Sequence, residues 1–118
     1  LNRSNICLNV DATRFDYLKY FEDNNFPSTI DYLQIDIEPA QQSLKALESL
    51  PLDKYRFSVI TFEHDIYFDP DNSLVKEKAR ELLSKFNYTL AVENVEAYGK
   101  IFEDWWLDSN LINDMDKL

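Results

Sequence analysis

Apolar and polar positions alternate most cleanly over Ile30–Pro39, "IDYLQIDIEP". Leu33, Ile35 and Ile37 share one face of an extended chain, and Tyr32, Gln34, Asp36 and Glu38 share the other. A strand with one buried face is predicted. Pro39 cannot donate to a ladder but suits the first turn of a helix. The period then changes. Ala40, Leu44 and Leu47 recur at i, i+4 and i+7, one helical face that Leu50-Pro51 closes. Tyr55–Glu63 is apolar almost without interruption, which predicts a strand buried on both faces. "DPDNS" (Asp69 to Ser73) turns into a second helix. Val75, Ala79, Leu82, Leu83 and Phe86 form its inner stripe, with Lys76, Lys78, Arg80 and Glu81 outside. Asn87–Val95 predicts a third strand, Ala97–Gly99 a turn, and Lys100–Trp106 a returning fourth strand. Weaker signals flank these. Asn5–Val10 reads as a short strand, and Thr13–Asp16 has capping-box spacing ahead of Phe15, Leu18 and Phe21. Asn24-Asn25 and Pro27 end that helix, and the acidic tail from Asp108 is allowed a short one.

Strands alternating with helices imply right-handed crossovers and a layered, mostly parallel sheet covered on both faces. The final hairpin adds one antiparallel strand. The expected class is α/β, and 118 residues suit a single domain over the whole chain. A formal charge of −10 argues against nucleic acid and anionic membranes as partners. No apolar run approaches the ~20 residues of a membrane span, and no secretory signal opens the chain. Cys7 is alone, so no internal disulfide forms, and a reducing, cytoplasmic location is expected. The most informative count is glycine, present only as Gly99. Loops that cradle phosphates or dinucleotides need several glycines for close backbone approach, so this chain carries no such loop.

Open α/β sheets bind ligands beyond the carboxyl ends of their strands. Those ends offer Asp36 and Glu38 after one strand and Glu63, His64 and Asp65 after the next. With strands ~4.8 Å apart, Asp36, Glu38 and Glu63 would crowd. Bare carboxylates at that spacing need a shared proton, a basic side chain or a divalent cation, and oxygen-rich ligands suit Mg²⁺, Mn²⁺ or Ca²⁺. His64 with one carboxylate suits a general base and its orienting acid. Structural readings stand beside these: Glu38 facing a helix dipole, His64 as a loop histidine, and Trp105-Trp106 as core or interface anchors. Glu103, Asp104, Trp105 and Trp106 are the candidate substrate or interface group. An antiparallel fourth strand would carry its own carboxyl end to the other edge of the sheet.

Three stretches together, "IDYLQIDIEP", "VITFEHDIYF" and "FEDWW", resemble the C-terminal half of S-adenosylmethionine-dependent methyltransferases of the FkbM type. The family's I-D-x-L-x-I-D-x-E-G strand is matched at Ile30, Asp31, Leu33, Ile35, Asp36 and Glu38, with Pro39 in place of the glycine. The resemblance covers about Asp11 to Trp106. It implies a Rossmann-like sheet whose last strand inserts antiparallel between the two before it, and methyl transfer to a small-molecule or sugar hydroxyl. In that family a Gly-rich loop and an acidic ribose ligand hold the cofactor, and neither is in this chain. S-adenosylmethionine is therefore not expected to bind this chain alone. The chain is expected to be a fragment, to pair with a second chain, or to serve another role. A half-sheet also exposes a strand edge. A homodimer by edge pairing or helix packing is expected, or a missing N-terminal half covers it. Three functions follow: the substrate-side half of a methyltransferase with Asp36, Glu38, Glu63, His64 and Asp65 lining the cleft, a non-catalytic binding or assembly module whose acidic cluster takes a divalent cation, and a small acid–base enzyme built on His64.

Overall fold

The computed structural model describes residues 8–115. Helix α1 (Tyr17–Asp23) leads into strand β1 (Thr29–Ile35), helix α2 (Ala40–Glu48) and strand β2 (Arg56–Glu63). Helix α3 (Asn72–Lys85), the hairpin of β3 (Tyr88–Ala97) and β4 (Lys100–Asp108), and helix α4 (Ser109–Met115) follow. The strands form one sheet in the order β1-β2-β4-β3. Only β1 and β2 pair in parallel, and β4 is antiparallel to both β2 and β3. The α/β class holds, but the sheet is mixed rather than mostly parallel. The cause is the position of β4, which inserts between β2 and β3, the place that the resemblance gives the last strand. Two parallel neighbours are thereby separated and two antiparallel ladders created.

The apolar pattern explains the interior. Leu33 and Ile35 of β1 align with Ile60 and Phe62 of β2, and Ile60 aligns with Trp106 of β4. On these strands Ile35, Ile60, Phe62 and Trp106 are buried. They join Leu47 from α2 and Val75, Ala79 and Leu83 from α3 in one core. Helices α2 and α3 pack against each other, α2 over β1 and β2 and α3 over β3. The opposite face is only partly covered. Phe57 is buried there beside Phe21 of α1. Tyr32, Val92 and Trp105 stay 53%, 41% and 41% exposed, so the expected cover on both faces is incomplete among the described residues. The β1 edge has no strand partner among these residues.

Local chemistry moves several boundaries. Half of the strand expected over residues 5–10 lies outside the described residues, and Leu8, Asn9 and Val10 are exposed and belong to no strand. Helix α1 starts at Tyr17, not near Thr13, because Asp16 is the cap that accepts from the Lys19 N–H. Thr13 instead donates to Asp11 in a turn. Asn25, at φ 53°, takes the left-handed conformation after the helix. Strand β1 ends at Ile35 rather than running to Glu38. The fully buried hydroxyl of Ser43 accepts from the Ile37 N–H at 2.8 Å and donates to the Ile37 carbonyl at 3.1 Å, which takes that backbone out of the ladder. Asp36 and Glu38 are therefore loop residues. The hairpin turns at Tyr98 and Gly99, both at positive φ (54° and 75°), the geometry of a two-residue turn that matches strand twist.

Two arginine–aspartate clasps hold β4. At one end Arg56 forks onto Asp108 (2.9 and 3.2 Å), donates to the Phe86 carbonyl and stacks on the Tyr88 ring at 4.3 Å. At the other, Arg80 of α3 forks onto Asp104 (2.9 and 2.9 Å). Arg80 therefore does not lie on the outer surface as its helical position implied: its long side chain reaches inward along the sheet. Asp104 is 1% exposed and also accepts from the Asn94 N–H at 2.9 Å. Asn94 is in a stretch of irregular β3–β4 register at φ 53°, and this bulge turns its N–H inward. Replacing Arg80 by methionine is expected to cost about 3 kcal/mol, because a buried carboxylate loses its main counter-charge. Replacing Lys19, whose pair with Asp23 is exposed, is expected to cost well under about 1 kcal/mol. Urea unfolding of both variants checks the difference.

Candidate functional site

Two loops meet at the carboxyl ends of β1 and β2, and each is pinned by the helix that follows it. Ser43 of α2 holds the Asp36–Pro39 loop through Ile37. Asn72, at the start of α3 and 4% exposed, donates to the Asp65 carbonyl at 3.0 Å and fixes the second loop. That loop is also tied to β4: the N–H groups of His64 and Asp65 donate to the Phe102 carbonyl, and that of Tyr67 to the Ile101 carbonyl. Between the loops lies a cleft of about 440 Å³ walled by Glu38, Gln41, Asp65, Tyr67, Phe68 and Asp69, with the helix starts behind them. A smaller cavity of about 170 Å³ adjoins it and shares Asp65 and Tyr67, with Glu63 and Lys100 on its far wall.

A row of carboxylates crosses the sheet beside these cavities. Ile35 aligns with Phe62, which sets Asp36 beside Glu63, and Glu63 aligns with Glu103. By strand alternation Glu63 and Glu103 point away from α2 and α3, and Asp36 follows β1 in the loop beside Glu63. Antiparallel insertion thus brings Glu103 to the candidate row instead of carrying it away, because it stands in the first half of β4. Burial pushes Glu63 up to about 8, reinforced by a hydrogen bond shared with Asp36 and by the charges of Asp36, Asp65 and Glu103. At neutral pH Glu63 therefore keeps its proton. Asp65, at φ 51°, is also raised, by burial and then by Asp36 and Glu38. Glu103 is 7% exposed and accepts from the Trp105 indole N–H at 2.7 Å.

The other expected residues separate from this row. His64 is fully buried on the helix side of the sheet. Its Nδ1 accepts from the Ile66 N–H, and its Nε2 lies 3.5 Å from Asp104, too poorly aligned for a hydrogen bond. It lines neither cavity. Burial works against the Asp104 charge, but His64, Arg80 and the Asn94 N–H outweigh it and hold that carboxyl well below the usual range. Trp106 is core and Trp105 half-exposed on the open face, so the tandem tryptophans serve two surfaces. Among the described residues no three His, Cys, Asp or Glu groups come together to hold a metal ion. Asp36, Glu38 and Glu63, the expected ligands, do not form such a group: one offset to their repulsion is a proton.

A family model described as the methyltransferase FkbM domain matches residues 2–102. The chain belongs to the FkbM methyltransferase domain family. Comparison with curated proteins and with solved structures returned no match. The family match spans α1, β1, α2, β2, α3 and β3 and stops just before Glu103, so β4 from Glu103 onward is outside it. A glycine-cradled turn for S-adenosylmethionine needs several glycines, and the sequence of this FkbM domain has one. Its one glycine is at the hairpin tip, where an added Cβ would meet nothing within 4 Å. No helix among the described residues is long and apolar enough to cross a membrane.

Sequence reasoning missed Ser43, Asn72, Tyr67 and Phe68. The signal for the first two was faint: polar residues near the starts of amphipathic helices that close strand-to-helix loops.

The proton on Glu63 has a stability consequence. Its folded value exceeds the ordinary 4.5, so the folded chain holds a proton that the unfolded chain has released. This contribution is full below pH 4.5, declines as pH rises, and is gone beyond about pH 8. Asp65 acts in the same direction, whereas Asp104 loses its stabilising charge only in strong acid. Thermal melts of Glu63→Gln are expected to show a smaller fall in Tm from mildly acid to alkaline buffer than the parent chain. An unchanged fall would contradict the proton on Glu63.

Proposed function

We propose that this chain supplies the acceptor side of a methyltransferase active site, with the methyl donor held by polypeptide segments that carry a glycine-rich turn. The observation that carries this reading is the placement of Asp36 beside Glu63 at the end of the sheet where α/β proteins bind ligands, with burial pushing Glu63 up to about 8. A carboxyl shifted toward neutral pH is matched to accepting a proton near that pH. In this reading the ionised form of the pair takes the proton that the acceptor's heteroatom sheds. Asp65 joins the small cavity beside Glu63 to the larger cleft, and Glu38 stands on the cleft's other wall. Ser43 and Asn72 are positioning residues that hold the two loops. His64 has a structural part beside Asp104.

Equilibrium dialysis of the purified chain against labelled S-adenosylmethionine is expected to show no saturable binding. Saturable binding would overturn the division between donor and acceptor sides. In the complete methyltransferase, Glu63→Gln is expected to lower kcat about 100-fold with little change in the acceptor KM. An unchanged kcat would remove the pair from the chemistry.

A further inference from the structure

We infer that the cleft between the loops after β1 and β2 recognises an ammonium group, so that the acceptor in the reading above is a cationic molecule. This deepens that reading and rests on it. Three carboxylates, Glu38, Asp65 and Asp69, line the cleft, and no Lys, Arg or His does. No ion pair within the described residues engages any of the three. Tyr67 and Phe68 add aromatic rings that are 48% and 79% exposed and meet edge to face at 6.4 Å. Aromatic rings left in water beside carboxylates that no cationic side chain engages, although Asp69 also accepts from the Asp71 N–H at 2.9 Å, are the elements that recognise organic cations: the ring faces and the carboxylates both attract the charge.

The protein already uses one of these rings in this manner. The Lys100 ammonium lies over Tyr67 at 5.4 Å from the ring centre, on the side of the smaller cavity. The starts of α2 and α3 also border the cleft and by themselves favour an anion. Glu38 and Asp69 stand ahead of those helix starts and add no side-chain cap there, so a ligand entering the cleft meets carboxylates before it meets the helix ends. The cleft, about 440 Å³, has room for a small organic cation and more of the molecule that bears it.

The test is an NMR titration of the isotope-labelled chain with three probes at neutral pH. These are choline, the uncharged alcohol in which carbon replaces its nitrogen, and acetate. Choline is expected to give saturable shifts at Asp65, Tyr67 and Phe68, with the uncharged isostere binding at least about tenfold more weakly and acetate producing no shift there. Tyr67→Leu and Asp65→Asn, each confirmed as folded by its spectrum, are expected to weaken choline about tenfold or more. Equal binding of the isostere, preference for acetate, or no saturable shift with choline would each overturn the inference. None of these bears on the kcat of Glu63→Gln, so the acceptor-side reading fails or stands on its own measurement.

Discussion

The structure depends on one buried carboxylate. Asp104 is held by the forked Arg80 guanidinium and the Asn94 N–H and faces the His64 imidazole, with almost no contact with water. Burying such a charge is costly, and the pair returns that cost only where the geometry is good. Its main effect is on register. Three elements, α3, the bulged β3 and the end of β2, must converge on one point of β4 for the carboxylate to be satisfied. A slip by one residue would send Asp104 to the open face and Glu103 inward. Asp104 therefore fixes which of two adjacent acidic residues faces the core.

The same alternation creates the candidate site. With Asp104 facing α3, Glu103 must face the other way, opposite Glu63 and in line with Asp36. On the inner face each buried carboxylate of β4 has an arginine, Arg80 for Asp104 and Arg56 for Asp108. Asp36, Glu63 and Glu103 have none among the described residues. Identical chemistry in two environments gives opposite results: Asp104 is driven below the usual carboxylate range, while Glu63 is driven up to about 8. Pairs of groups pushed apart by their surroundings are a mark of functional sites, although structural ion pairs do the same. Here Asp104 is the structural member and Glu63 the candidate chemical one.

Much of the fold was legible in the sequence because hydrophobic periodicity carries it. The alternation from Ile30, the helical stripe Val75–Ala79–Leu83 and the nearly continuous run Phe57–Phe62 each became the expected element. Boundaries were less legible because they are set by single hydrogen bonds, such as that of Ser43 to Ile37 or Asp16 to Lys19, which leave no mark on periodicity. Arg80 was misread for a related reason. Its helical position is peripheral, but a long side chain can carry its charge inward. The crowding of Asp36 and Glu63 could be anticipated from adjacent parallel strands. The arrival of Glu103 beside them could not be read from periodicity, because it depends on the order in which strands enter the sheet.

The account turns on the opposite behaviour of two carboxyls on the two faces of one sheet. Side-chain carboxyl NMR through a pH titration of the folded chain measures both at once. Glu63 is expected to titrate near pH 8, and Asp104 to stay ionised to the lowest pH at which the chain remains folded. A Glu63 midpoint in the ordinary carboxylate range would contradict the account.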